Sequence, residues 1–113
     1  MLALGSCSAA ETQNPQTITP QQAEAMMREE DVLILDVRTQ QEFDSGHIQN
    51  AVLLPYNEIP LHALALIPEK SQIILVYCRA GRRSSIAARK LAEMGFTAVY
   101  DFGGIAGWPV VRP

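Results

Sequence analysis

One cysteine in this sequence, Cys78, lies among residue types that activate a thiol. It follows an unbroken apolar run at residues 73–77, which is typical of a strand buried on both faces of a sheet. A helical pattern comes next and ends at Gly95, a usual C-terminal signal. Between strand and helix the sequence reads Arg79, Ala80, Gly81, Arg82, Arg83 and Ser84. The pattern predicts a strand, a loop and a helix, with the thiol where the strand ends.

Three physical effects favour negative charge on this sulfur. Backbone N–H groups of a tight loop, which Gly81 makes possible, can point into a shared concavity. The start of the following helix adds unpaired N–H donors and the positive end of its dipole. Three arginines bring cationic charge, and thiols in such surroundings react as nucleophiles. We therefore expect the Cys78 sulfur to stand ready at the mouth of the loop.

The alternative is an inert cysteine that only ends a core strand, which is the commoner use of a free cysteine. A Cys78 side chain packed away from water would favour that alternative. Arginines and a glycine are poor packing neighbours for a core residue, so the reactive thiol is the preferred interpretation.

The composition limits the class of protein. A chain of 113 residues, 48% hydrophobic and 19% charged, is typical of one globular domain. The net charge of −3 argues against a general nucleic-acid-binding protein. Arginines concentrated around one cysteine on this acidic background indicate a small anionic ligand. Neither Cys7 nor Cys78 has a second ligand at metal spacing, so we expect no metal and no cofactor.

Residues 1–17 are predicted to be a flexible tail that precedes a domain at residues 18–113. Residues 4–7 resemble a bacterial lipoprotein processing box, in which Cys7 would carry the lipid, although the apolar run before it is shorter than a signal peptide. This favours a periplasmic, lipid-anchored protein. A plain disordered tail on a cytoplasmic protein and a Cys7–Cys78 disulfide are the alternatives.

Strand and helix patterns alternate along the domain, which predicts an α/β fold with a parallel sheet and helices on both faces. Besides residues 73–77, buried strands are predicted at residues 32–35, 51–54 and 98–100. Helices are predicted from Pro20, with Thr19 and Gln22 as a capping box, at residues 40–44, and after Asn57 as N-cap.

Two further details concern the later part of the chain. In the helix after Asn57 we expect Leu61, Leu64 and Ala65 to face the core. We expect residues 103–104, both glycine, to turn the chain, and Trp108 to close over the core.

Several short motifs, taken together and in order, resemble a single-domain rhodanese over residues 18–113. They are Asp36-Val37-Arg38, Glu42-Phe43, Gly46-His47-Ile48, Ala51, the loop from Cys78 to Ser84, and Gly103-Gly104 followed by Trp108. The resemblance implies a five-stranded parallel sheet flanked by helices. It also implies sulfur transfer from thiosulfate or another sulfane donor through a persulfide on the loop cysteine.

The resemblance assigns a role to each candidate residue. Cys78 is the nucleophile, and the six residues from Arg79 to Ser84 bind the substrate anion. Asp36, Arg38, Glu42 and His47 are expected to support the fold, with Arg38 paired to Asp36 or Glu42 and His47 fixing a turn. A catalytic His47 is the less favoured alternative.

Two other functions compete with thiosulfate sulfurtransferase. Cysteine phosphatases carry an arginine six places after the cysteine, where this chain has Ser84, so the loop is too small for phosphate. A sulfur carrier that hands persulfide sulfur to a protein partner needs the same loop and stays open. The expected partners are small sulfur anions (thiosulfate, sulfite), cyanide and thiol acceptors, bound by a monomer.

Overall fold

Five parallel strands form one sheet in the order β1-β5-β4-β2-β3 in this computed structural model, which describes residues 14–109. The strands are β1 (Gln16–Thr17), β2 (Val32–Asp36), β3 (Val52–Leu53), β4 (Ile73–Cys78) and β5 (Val99–Gly104). The helices are α1 (Pro20–Glu29), α2 (Gln40–Ser45), α3 (Ile59–Leu66) and α4 (Arg82–Glu93), with a 3-10 turn at Tyr56–Glu58. The predicted fold class is confirmed. The expectations for Cys7 and for the tail before residue 14 lie outside the described residues.

Two hydrophobic cores cover the two faces of the sheet. Alternate residues of β4 point to opposite faces, so that Val76 and Cys78 join one core while Leu75 and Tyr77 join the other. Helices α3 and α4 pack on the first face, and α1 packs on the second through Ala23. This arrangement explains why the residue 73–77 run is apolar at every position.

The sheet begins and ends differently from the sequence prediction. Gln16 and Thr17, assigned above to the tail, form the edge strand β1 and pair with Tyr100 and Asp101 of β5. A two-residue strand is too short to show an alternating pattern. Gly103 and Gly104 do not turn the chain; they end β5, opposite Tyr77 and Cys78 of β4.

Helix α3 also differs from its prediction. Asn57 lies in the 3-10 turn, and no side chain caps the helix, which begins at Ile59. Its buried positions are therefore Ile59, Ala63 and the following Ile67, spaced four residues apart on one face. The expectation for Leu61, Leu64 and Ala65 was wrong, since all three are exposed.

None of the helices within residues 14–109 is long and apolar enough to cross a membrane.

We predict that truncating a leucine is costly in the core and nearly neutral at the surface. Leu91→Ala, at a fully buried position of α4, should lower the free energy of unfolding by about 2–5 kcal/mol. Leu61→Ala, at a position 74% exposed, is the matched control and should change it by less than about 0.5 kcal/mol. Urea unfolding of both variants tests this, and similar losses would contradict the described packing.

Candidate active site

Three strands end side by side at one edge of the sheet. The register pairs Cys78, the last residue of β4, with Gly104 of β5, and pairs Tyr77 with Asp36 of β2. Ligands of parallel α/β sheets bind in crevices at the carboxyl ends of strands. The edge formed by Asp36, Cys78 and Gly104 is therefore the candidate site.

The Cys78 sulfur accepts a hydrogen bond from the loop. The backbone N–H of Gly81 donates to Sγ over 2.9 Å. Gly81 is the N-cap of α4 and has a φ of 101°, a left-handed conformation that favours glycine. An N–H donor aimed at the sulfur stabilises negative charge there. Cys78 carries a free thiol.

The expectation that the sulfur stands at the mouth of the loop is wrong. Cys78 is only 1% exposed and belongs to the core between the sheet, α3 and α4. The reason is that β4 extends to residue 78 itself, so the side chain takes its alternating place on the core face. The burial of the sulfur is what the inert alternative expects, whereas the Gly81 N–H that donates to it is what a reactive thiolate expects.

Some side chains of the loop after Cys78 are exposed, and others are held by hydrogen bonds within the protein. Arg79, Ala80 and Arg82 are exposed. Ser84 is fully buried, and its hydroxyl donates to the Gly81 carbonyl oxygen over 3.0 Å. The Ser84 side chain thus holds the loop together, and a contact between Ser84 and the substrate anion stays a prediction.

Arg83 is engaged with Glu42 of α2. Its Nη1 donates to Oε1 over 2.7 Å and its Nη2 donates to Oε2 over 3.0 Å, a bidentate pair. A capping box fixes Glu42, because the Thr39 N–H donates to the same Oε1 over 2.9 Å. No local sequence pattern marks the Glu42–Arg83 pair, whereas Thr39 followed by Glu42 is a recognisable capping signal.

The Glu42–Arg83 pair shifts the ionisation of both partners. The hydrogen bond from Arg83 lowers the pKa of Glu42 to about 2, against the opposing effect of burial. The hydrogen bond to Glu42 raises the pKa of Arg83, and the nearby Cys78 sulfur adds to this rise. Arg83 is therefore close enough to Cys78 to interact with it electrostatically.

A buried network next to the site joins Asp36, Arg38 and Tyr77. Asp36 is fully buried and accepts hydrogen bonds from Arg38 Nη2 over 2.7 Å and from the Tyr77 hydroxyl over 2.6 Å. Burial acts to lower the pKa of Arg38, but the hydrogen bonds and charge of Asp36 outweigh it and leave the pKa raised. Burial and Asp36 together raise the pKa of the Tyr77 hydroxyl. The predicted Arg38–Asp36 pair is confirmed, and Glu42 is not its partner.

This network fixes the turn that follows α2. Arg38 Nη2 also donates to the Gly46 carbonyl oxygen over 2.7 Å, and the Ile48 N–H donates to the Tyr77 hydroxyl over 3.1 Å. The His47 ring stacks on Phe43 with centroids 3.7 Å apart, and its Nδ1 lies 2.8 Å from the Phe43 carbonyl oxygen. These contacts agree with the structural role expected for His47.

A cavity of about 420 Å³ lies between the loop, α2 and the segment after β5. Its lining residues are Arg38, Glu42, Ser45, Arg79, Ala80, Ile105 and Ala106. The wall thus combines two arginines and one carboxylate with small apolar side chains, and two of its residues, Arg79 and Ala80, directly follow Cys78 in the chain. Within residues 14–109, no group of three or more His, Cys, Asp or Glu side chains could hold a metal ion.

Comparison with known proteins shows a family match and similar sequences. A family model described as "Rhodanese-like domain" matches residues 19–109. The chain is 37% identical over 71 residues to the thiosulfate sulfurtransferase PspE of Escherichia coli K12, covering 63% of this chain and 68% of that protein. It is 39% identical over 90 residues to a sulfurtransferase of Allochromatium vinosum, covering 74% of this chain and 82% of that protein.

Other similar proteins extend the comparison. A tRNA uridine(34) hydroxylase of Chlamydia trachomatis is 34% identical over 110 residues, which are 92% of this chain and 33% of that protein. The structure "rhodanese with anions from E. coli" has a TM-score of 0.67 and 34% identity, covering 72% of this chain and 98% of that one. A rhodanese-like domain protein from Staphylococcus aureus has a TM-score of 0.76 and 31% identity, covering 87% and 98%.

Gly104 allows the loop to lie against β5. A Cβ at this position would clash with the Arg79 carbonyl oxygen and would lie 3.1 Å from the Ala80 Cα. We predict that Gly104→Ala displaces the loop, so that the Gly81 amide exchanges its hydrogen about tenfold faster. Gln21→Ala, at an exposed position of α1, is the control and should leave the exchange of Gly81 unchanged. Unchanged Gly81 exchange in Gly104→Ala would contradict this close approach.

The low pKa of Glu42 makes the free energy of unfolding depend on pH in the acidic range. The unfolded chain binds a proton at Glu42 near its ordinary pKa of 4.5, whereas the folded chain binds it only near 2. The stabilisation is therefore present above about pH 4.5 and is lost as the pH falls towards 2. We expect Glu42→Gln to cost on the order of 2 kcal/mol at pH 6 and much less at pH 2.5, measured by urea unfolding. An equal cost at both pH values would contradict the ion pair.

Proposed function

This chain belongs to the rhodanese-like domain family of sulfurtransferases, and we propose from that premise that it moves sulfane sulfur from thiosulfate to cyanide or a thiol. The observation that carries the proposal is the placement of Cys78. Its sulfur lies at the end of β4 and accepts a hydrogen bond from the Gly81 N–H, and the next two residues, Arg79 and Ala80, line a cavity. The names of two similar proteins, both sulfurtransferases, support the same reaction.

The reaction is a two-step covalent transfer. The Cys78 thiolate attacks the outer sulfur of thiosulfate, the sulfur–sulfur bond breaks, and sulfite leaves with the bonding electron pair. Cys78 then carries the transferred sulfur as a persulfide. Cyanide or an acceptor thiolate attacks that outer sulfur, which leaves as thiocyanate or as the acceptor's persulfide, and the Cys78 thiolate returns. No external oxidant or reductant is needed.

Electrostatics explain why the site suits this chemistry. Thiosulfate and sulfite are both anions, so the loop N–H groups and the exposed Arg79 and Arg82 stabilise substrate and leaving group. The burial of Cys78 keeps water from competing with these donors.

A pure sulfur carrier for a protein partner is the alternative within the same family, and one relative is named a hydroxylase, so membership alone does not fix the reaction. A turnover assay with thiosulfate and cyanide separates enzyme from carrier. The proposed enzyme releases thiocyanate continuously, whereas a carrier would load one sulfur per chain and stop.

For location, we propose export to the periplasm with a lipid on Cys7, which lies outside the described residues. Mass spectrometry of the N-terminal peptide from fractionated cells tests this. A lipid-modified Cys7 at the new N-terminus is expected, and an unprocessed Met1 in the cytosolic fraction would contradict it.

We predict that sulfur loading depends on Cys78 alone. Incubation with thiosulfate should add one sulfur atom to the intact mass, mapped to Cys78, and cyanide should remove it. Cys78→Ser should lose both loading and sulfite release, because no nucleophile remains in the loop. Cys7→Ser is the matched control and should load normally. Sulfite release by Cys78→Ser would contradict the proposed reaction.

A further inference from the structure

A carboxylate borders the cavity that Arg79 and Ala80 line directly after Cys78, and its charge opposes the binding of any anion there. Glu42 lines the same cavity as Arg79, and its side chain is only 26% exposed, so water screens it incompletely. Two like charges confined to one small cavity repel each other appreciably. Cancelling the charge of Glu42 therefore favours the entry of an anionic donor.

Arg83 provides that cancellation. Both terminal nitrogens of its guanidinium donate to the two carboxylate oxygens of Glu42, over 2.7 and 3.0 Å. The residues that line the cavity do not include Arg83. Because both terminal nitrogens already donate to Glu42, the Arg83 guanidinium is poorly placed to bind a second anion.

Arg79 has the opposite properties. It is exposed, it lines the cavity directly, and no ion pair within residues 14–109 involves it. The other arginine in the cavity wall, Arg38, is bound to the buried Asp36. Arg79 therefore offers the accessible cation of the cavity wall.

We propose that Arg83 acts on the anionic donor through Glu42, by neutralising the carboxylate in the cavity, while Arg79 contacts the donor itself. Arg83 is then a positioning residue, in place of the direct substrate contact that the sequence indicated. The inference rests on the proposed function for the identity of the donor, thiosulfate. Its electrostatic part applies to any anion that approaches Cys78.

The test compares two alkylating reagents that differ in charge. Iodoacetate is anionic and iodoacetamide is neutral, so the ratio of their rates at Cys78 reports the electrostatics of the approach. Mass spectrometry of the Cys78 peptide in the full chain separates this reaction from that of Cys7. The neutral reagent corrects each variant for changes in access to the thiol.

We expect Arg83→Gln to lower the iodoacetate to iodoacetamide ratio about tenfold, because Glu42 is left uncompensated. The double variant Glu42→Gln/Arg83→Gln should return the ratio to within about threefold of the wild type. Arg79→Gln should lower the ratio in the wild-type background and also in the double variant. Arg89→Gln, an exposed arginine on α4, is the matched control and should leave the ratio unchanged.

Three results would overturn the inference. If the double variant has the same low iodoacetate to iodoacetamide ratio as Arg83→Gln, Arg83 binds the anion directly. An unchanged ratio in Arg83→Gln would remove any role of Arg83 in anion entry. Failure of both reagents to label native Cys78 would show that the cavity gives no route to the sulfur. If Arg83→Gln folds poorly, the double variant and Arg83→Lys provide the test instead. Arg83→Lys keeps the positive charge, so its iodoacetate to iodoacetamide ratio should stay within about twofold of the wild type.

Thiosulfate kinetics then separate this inference from the proposed function. The KM for thiosulfate should rise about tenfold in Arg83→Gln and recover in the double variant. If the alkylation ratios behave as expected but thiosulfate never loads Cys78, the role of Arg83 stands and thiosulfate is excluded as the donor.

Discussion

The short connection between β4 and α4 is the constraint on which the site depends. Only residues 79–81 separate the last residue of the strand from the first residue of the helix. Such a tight reversal requires the left-handed conformation of Gly81, and that conformation turns the Gly81 N–H onto the Cys78 sulfur. The loop lies flat against β5 because Gly104 has no side chain to displace it. Strand, loop and helix thus form one unit around a single sulfur atom.

Two ion pairs beside this loop differ in environment and in consequence. Asp36 and Arg38 are both buried, so removing one partner leaves an unpaired charge, which typically costs 3–5 kcal/mol. Their hydrogen bonds to Tyr77 and to the turn after α2 make the pair a structural support. Glu42 and Arg83 are partly exposed, and Glu42 lines the cavity that the proposed anion would enter. The same kind of ion pair is therefore a buried structural support in one place and lies beside the cavity in the other.

The sequence predicted those features that depend on local pattern. The α/β class, the capping box of α1 and the position of Cys78 at the end of a strand follow from periodicity and from capping residues. The edge strand β1 was missed because two residues carry no period. The exposed leucines of α3 were misassigned because the true start of that helix, at Ile59, is set by a 3-10 turn that no propensity marks.

Contacts between distant segments could not be read from the sequence. Tyr77 sits in an apolar run and looks like a core residue, yet its hydroxyl joins Asp36 to the turn at Ile48. The partner of Arg83 is 41 positions earlier in the chain, so the sequence offered three equivalent arginines where the structure distinguishes them. The burial of Cys78 depends on the exact length of β4, which sequence patterns define least well.

The most direct test is a crystal structure of the protein soaked with thiosulfate. We expect additional density for one sulfur bonded to Cys78 Sγ, within hydrogen-bonding distance of backbone N–H groups of residues 79–83. An unmodified Cys78, still packed beneath a closed loop while thiosulfate occupies another part of the surface, would contradict the account.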